Sequence, residues 1–182
     1  MTQRTPAIST LDEHLPTVVA WAARLCGPGL DPEDIAHDAL ITAMRRLPTL
    51  RDRERLEAWL FGITRRTVAG HRRSAWMRRW VGAPDMPPAD TSALPFETLR
   101  SKRRAEHVQR LLEKLPAKQR EVLVLICVED HTSVEAAEIL GVPEGTVRSR
   151  LRIGKARLRK LVSASRSIEH EGDRIFLAAA LH

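Results

Sequence analysis

Apolar residues recur along this chain at three- and four-residue spacings, and the two-residue alternation of strands is missing. Val18, Val19, Trp21, Ala22 and Leu25 mark one helical face, and Cys26-Gly27-Pro28-Gly29 stops it. Asp31-Pro32-Glu33-Asp34 opens a second helix: Asp31 is a good N-cap, Pro32 suits the first helical position, and the acids suit the positive helix end. Ile35, Ala39, Leu40, Ala43, Met44 and Leu47 are expected to face inward, with the end before Pro48. After a charged segment over 49–55, a third helix starts near Leu56 and turns Trp59, Leu60, Ile63 and Val68 to the core. Trp76, Met77 and Trp80, interleaved with Arg78 and Arg79, read as further core with the arginines snorkelling around it, or as a surface for unpaired bases.

From Val81 to Phe96 the composition changes to Pro, Gly, Asp and Ser, which marks a linker. Helicity resumes near Glu97, carries Val108, Leu111, Leu112 and Leu115, and breaks at Pro116; Val122, Leu123, Leu125 and Ile126 mark a compact buried helix. The expected fold is all-α, with two small helical domains joined by a flexible linker: 1–80, a linker over 81–104, 105–165, and a C-terminal tail over 166–182.

The clearest local pattern follows. Thr132-Ser133-Val134-Glu135 has capping-box spacing ahead of a short helix from Val134 to Leu140. Ala137 is small enough for a close helix crossing, Gly141 supplies a tight turn, and Pro143 opens the next helix. Ala137, Gly141 and Val147 thus have the spacing of a helix-turn-helix. In the long final helix Val147, Leu151, Leu158 and Leu161 should face the core, while Arg148, Arg150, Arg152, Lys155, Arg157, Arg159 and Lys160 occupy the other faces. Glu144, Arg148, Ser149 and Arg152 stand where a recognition helix meets base edges; later basic residues such as Lys155 suit phosphates.

Charge agrees with this. Lys and Arg number 30 against 23 Asp and Glu in 182 residues, a formal +7 that points to a polyanion. With no Tyr and 4% aromatic residues, base-stacking sheets and barrels are disfavoured. Cys26 and Cys127 make no disulfide framework or metal-ligand spacing, so neither a metal nor a cofactor is expected. No apolar run is long enough to span a bilayer and no secretory signal opens the chain, so membrane insertion is not expected and the place of action reads as cytoplasmic. Within the first domain, Asp31, Glu33, Asp34 and Asp38 gather on the second helix, whereas Arg dominates from Arg45 onward. On physics alone the acids read as helix caps plus a solvated Asp38, with a basic protein partner as the alternative.

The stretch Ala20 to Leu47 (AWAARLCGPGLDPEDIAHDALITAMRRL) resembles the core-binding helix pair of bacterial RNA polymerase sigma factors. Leu56 to Arg73 (LEAWLFGITRRTVAGHRR) resembles the helix that melts promoters and reads the minus-ten element. Leu112 to Leu161, containing AAEILGVPEGTVRSRLRIGKARL, resembles sigma region four, which reads the minus-thirty-five element. Their order and the Pro-rich tether are those of the extracytoplasmic-function (ECF) group. The resemblance implies that Asp31, Glu33, Asp34 and Asp38 meet the basic coiled coil of the polymerase clamp. It implies that Pro48 to Arg55, including Leu50, Arg51, Asp52 and Arg53, captures a flipped base, and that Arg65, Arg66, Arg72 and Arg73 track the opening duplex. It assigns the minus-thirty-five contacts to Glu144, Arg148, Ser149, Arg152 and Lys155.

The implied partners are core RNA polymerase, promoter DNA and an anti-sigma factor or other regulator. No catalytic residue is implied, since the phosphodiester chemistry belongs to the polymerase. This chain departs from the family pattern at Arg66, Gly70, Val134 and Ile153-Gly154, where many members have Asn, Asp, an aromatic and a more basic or small pair. Two competing readings leave more unassigned. A stand-alone helix-turn-helix regulator gives the acidic helix no task. A nuclease using the four acids lacks the Lys, His or metal-ligand spacing such chemistry needs.

Overall fold

A computed structural model describes residues 11–27, 29–80 and 107–164. The chain divides into two compact units between Leu94 and Pro95. The linker, the expected helix start at Glu97, Pro28 and the tail after Ala164 lie outside the described residues. Every regular element among the described residues is helical.

The first unit is a three-helix bundle of α1 (Leu15–Leu25), α2 (Pro32–Arg46) and α3 (Leu56–Trp80), each packed on the other two. A helical turn at 11–13 precedes α1 and buries Leu11. After α1, Gly29 takes a left-handed φ of +77° that favours glycine. Asp31 then caps α2 by accepting the Glu33 N–H at 2.8 Å. The buried face of α2 is small, with Ala36, Ala39 and Ala43 beside Ile35, so α2 can approach its neighbours closely. Trp21 of α1 meets Phe61 of α3 edge to face, ring centroids 5.3 Å apart at 76°. Val18, Leu25, Leu60 and Ile63 close the core, each full burial contributing about 1.5–3 kcal/mol.

Several residues depart from the sequence pattern. Met44 is 40% exposed, because α2 is covered on the side of its alanines and not on the side Met44 occupies. Of the two aromatic residues read as core at the start of α3, Phe61 is buried, whereas Trp59 is only half-buried. Beyond Val68 no α3 residue whose burial is described is buried: the helix outruns the bundle, and Trp76, Met77 and Trp80 lie exposed rather than in the core.

The second unit comprises α4 (described over 107–113), α5 (Ala117–Cys127), α6 (Ser133–Leu140) and α7 (Glu144–Ala164). Leu111, Leu112 and Leu115 are buried with Val122, Leu123, Val124 and Leu125; Val124 takes the place expected for Ile126, which is half-buried. Two features are invisible in an apolar pattern. Arg120 is only 1% exposed, and its Nη2 donates to the carbonyls of Glu113 at 3.0 Å and Leu115 at 3.1 Å. The guanidinium thus ties the turn after α4 to the helix that follows. Gly154 lies where α7 crosses α5: a Cβ there would come 3.1 Å from Leu123 Cδ1 and 3.4 Å from Gln119 Cβ. The core face of α7 is accordingly Val147, Gly154 and Leu158, with Leu151 and Leu161 half-buried. On α6 the fully buried small residue is Ala136, and Ala137 is half-buried.

Arg120→Met keeps the length and removes the donors, leaving two carbonyls without their charged partner. We expect the second unit to lose about 2–4 kcal/mol in denaturant unfolding followed by helical ellipticity. An unchanged transition would show that the guanidinium contributes nothing net to that turn.

Candidate nucleic-acid interface

The helix-turn-helix is built by three local devices. Thr132 caps α6 reciprocally: its Oγ1 accepts the Glu135 N–H at 3.2 Å, while Glu135 Oε2 accepts the Thr132 N–H at 2.7 Å and hydroxyl at 2.9 Å. These bonds, the backbone one foremost, hold the Glu135 carboxyl below its ordinary value near 4.5, with His131 adding to the effect. Gly141 ends α6 in the left-handed region at φ 64°, and Val142 N–H returns to the Ala137 carbonyl at 3.1 Å. Pro143 then accepts the Thr146 N–H at 2.9 Å as α7 begins. The motif expected from spacing is therefore present, with α6 and α5 both packed on α7.

On α7, Arg148, Arg152, Lys155 and Arg159 follow one another at i, i+4, i+7 and i+11 and share one face. Arg148 and Arg152 are exposed, Ser149 is exposed a quarter-turn away, and Lys155 is half-buried. Glu144 does not stand apart: its carboxylate accepts from Arg148 Nη2 at 2.6 Å. Lys155 lies near Cys127, opposing but not outweighing the burial that pushes that thiol's pKa up. Cys127 is therefore held as a thiol, unsuited to nucleophilic or ligand roles. Among the described residues, no group of His, Cys, Asp and Glu could hold a metal ion, and no helix is long and apolar enough to cross a membrane.

In the first unit the acids divide. Asp31 is committed to its cap. Glu33 and Asp34 are exposed, and Asp38 is exposed but bonded to His71 Nε2 at 2.8 Å, across from α2 to α3. Asp34, Asp38 and Ile41 share a helical face, with Glu33 and Met44 along its edge. Ile41 is 41% exposed, so this surface alternates carboxylates with apolar side chains.

Between α2 and α3 the chain makes two 3-10 turns, Leu47–Thr49 and Arg53–Arg55. Asp52 accepts the Glu54 N–H at 3.0 Å, so its carboxylate shapes the loop; Arg51 and Arg53 are exposed and Leu50 is half-buried. On α3, Arg66 and Arg73 are exposed, while Arg65 and Arg72 are half-buried on the adjoining stripe. The Arg66 guanidinium lies over Gly62, and its pKa is lowered by partial burial and by the charges of Arg65 and Arg46. Arg46, at the end of α2, was not singled out by sequence spacing; the helix packing brings it to this cluster. His71 was missed for the same reason, its partner lying 33 residues away.

The family model for sigma-70 region 2 matches residues 10–78, and that for sigma-70 region 4 matches residues 105–158. The ECF RNA polymerase sigma factor SigL of Mycobacterium tuberculosis is 31% identical over 149 residues, covering 81% of this chain and 84% of that protein. SigD of Mycobacterium bovis is 33% identical over 144 residues, covering 76% and 68%. Among solved structures, the sigma factor RpoE in complex with the anti-sigma factor NepR from Bartonella quintana aligns with a TM-score of 0.63 and 26% identity, over 87% of this chain and 97% of that one. CnrH in complex with the cytosolic domain of CnrY aligns with a TM-score of 0.60 and 25% identity, over 90% and 92%. Region-two bundle and region-four helix-turn-helix occur here in the order of a sigma factor. The chain belongs to the ECF RNA polymerase sigma factors, which direct promoter-specific transcription initiation.

The Glu135 cap sets a pH dependence. A carboxyl held low in the folded chain stabilises it above the unfolded value and loses that contribution as pH falls through the lowered folded value, so the loss sets in below about 4.5. Glu135→Gln keeps an acceptor without the charge. It should lower stability at neutral pH and make acid unfolding of α6, followed by circular dichroism, less steep than in the wild type. Parallel acid titrations would remove Glu135 from this role.

Proposed function

We propose that residues 1–80 bind core RNA polymerase and open the minus-ten element, that 81–104 tether them, and that 105–165 read the minus-thirty-five duplex. The supporting observation is the sorting of charge by element. Exposed carboxylates of α2 stand among apolar side chains, as suits a basic protein surface. Guanidinium groups crowd where α2 ends and α3 passes, as suits phosphates. Glu33, Asp34 and Asp38 meet the polymerase, and Asp31 contributes by fixing the start of α2. Leu50, Arg51, Asp52 and Arg53 take a base turned out of the stack, with Asp52 holding the loop in shape. Arg65, Arg66, Arg72 and Arg73 follow the backbone of the opening duplex.

At the upstream element Arg148, Arg152 and Ser149 address base edges, Glu144 orients Arg148, and Lys155 holds a phosphate. No covalent step is assigned to this chain. It acts in the cytoplasm, on DNA of the nucleoid, and an anti-sigma factor is its expected regulator. The complexes of RpoE with NepR and of CnrH with CnrY support that expectation by analogy. The tail over 166–182 is a candidate handle for such a regulator.

Purified protein mixed with core polymerase should give promoter-dependent transcripts, and failure to form any stable complex with core would refute the proposal. Asp34→Arg, which leaves the Asp31 cap intact, should weaken core binding by roughly tenfold without a change in unfolding midpoint; unaltered affinity would return Asp34 to a solvated role. Arg148→Ala should relax selectivity at one upstream base pair by about 1–3 kcal/mol. Lys155→Ala should weaken all sequences alike and reduce the salt slope by about 1. Equal, sequence-independent effects of both would contradict the division between reading and positioning.

A further inference from the structure

We propose that the projecting end of α3 is a base-stacking platform for single-stranded DNA, made by Trp76 and Trp80 with Arg73 on the same face. This deepens the reading of α3 as the helix that follows opening DNA, and it rests on that reading. Trp76 is 55% exposed, Met77 52% and Trp80 77%, an unusual surface for residues with so much apolar area to hide. The two indole rings lie near-parallel, 20° between planes with centroids 6.2 Å apart. Stacking on each other restrains two large side chains in advance of a ligand, so less ordering remains to oppose binding. Arg73, Trp76, Met77 and Trp80 follow the i, i+3, i+4, i+7 positions of one face, so a guanidinium and the two rings are presented together.

Charge selects the occupant. After Glu57 the helix contains no carboxylate as far as Trp80, while arginines recur at Arg65, Arg66, Arg72, Arg73, Arg78 and Arg79. A face that carries two rings, on a stretch of helix whose charged residues after Glu57 are all basic, matches a flexible polyanion that carries flat apolar rings. Paired bases keep their faces inside the duplex, whereas unpaired bases offer them to an indole. The platform also continues the line of Arg65, Arg66, Arg72 and Arg73 along the same helix, toward its end away from the bundle. A strand leaving the melted region along that line passes from phosphate contacts to ring contacts.

The test uses the full-length protein, a fluorescein-labelled oligothymidylate and a duplex of equal length. Two double variants are compared, Trp76→Phe with Trp80→Phe and Trp76→Leu with Trp80→Leu. The leucine pair keeps apolarity and removes ring faces; it should weaken single-strand binding about tenfold or more, while the phenylalanine pair stays close to wild type. Duplex binding and the thermal midpoint should be unchanged in both. Four outcomes overturn the proposal: leucine variants that bind the single strand like wild type, equal losses for single strand and duplex, a loss accounted for by unfolding, or no single-strand binding by the wild-type chain. The first of these would mark the face as an apolar docking surface for protein. Promoter-dependent transcription with core polymerase, run in parallel, separates the two readings. Transcription that persists while the leucines change nothing removes the platform alone. A wild-type chain that neither transcribes nor binds DNA removes the path along α3 as well.

Discussion

Like charges crowd at one place in the first unit, and much of its architecture exists to hold them there. Arg46 at the end of α2 and Arg65 and Arg66 on α3 gather there, and the pKa of Arg66 is lowered first by its partial burial and then by the charges of Arg65 and Arg46. Such a cluster opposes folding, and helix packing helps to offset it. That packing lies in the core of the same helices, where Trp21 meets Phe61 edge to face and three alanines of α2 let the backbones close in. If these arginines follow DNA as proposed, a polyanion would relieve the repulsion on arrival. The two faces of α3 are therefore one device: apolar burial on one stripe fixes the spacing of guanidinium groups on the other.

The second unit uses arginine in the opposite way. Arg120 is taken out of water, and backbone carbonyls at the end of α4 satisfy part of its donor set. A buried guanidinium is tolerated when several fixed acceptors replace its hydration, and the fork geometry of arginine lets one side chain reach two of them. With that turn set, α5 presents Leu123 and Gln119 to α7 at a spacing only Gly154 meets without displacement. The recognition helix is placed by an absent side chain on its inner face and read through charged ones on its outer face.

Against this background it is clear what the chain's pattern could and could not disclose. Helix positions, the all-α class, the capping box and the left-handed Gly141 follow from interactions spanning a few residues, and the pattern carries them. The exposed positions of Met44, Trp76, Met77 and Trp80 do not follow, because hydrophobicity reports a preference for burial and not whether any neighbour is present to satisfy it. The α3 pattern runs on with apolar residues after the bundle has ended. Arg120 reads as one more surface charge in AKQREVL, since nothing local says that Leu115 and Glu113 carbonyls will turn toward it. His71 with Asp38, and Arg46 with Arg66, are long-range products of packing. The pattern therefore names candidate residues one by one, but not their pairings.

Those pairings bear on how the protein reads DNA. Arg148 is held by Glu144 at 2.6 Å, yet the arginine side chain remains 70% exposed. An exposed pair four residues apart on a helix contributes only about 0.3–0.5 kcal/mol, whereas a bidentate arginine on a guanine edge discriminates by about 1–3 kcal/mol. If Arg148 reads a base edge as proposed, a carboxylate partner of that strength yields to the right base. Asp38 and His71 form a second exposed pairing, which ties α2 to α3 in the first unit. Under the proposed roles, acids set beside basic residues in both units would limit indiscriminate attraction by a chain with a formal charge of +7.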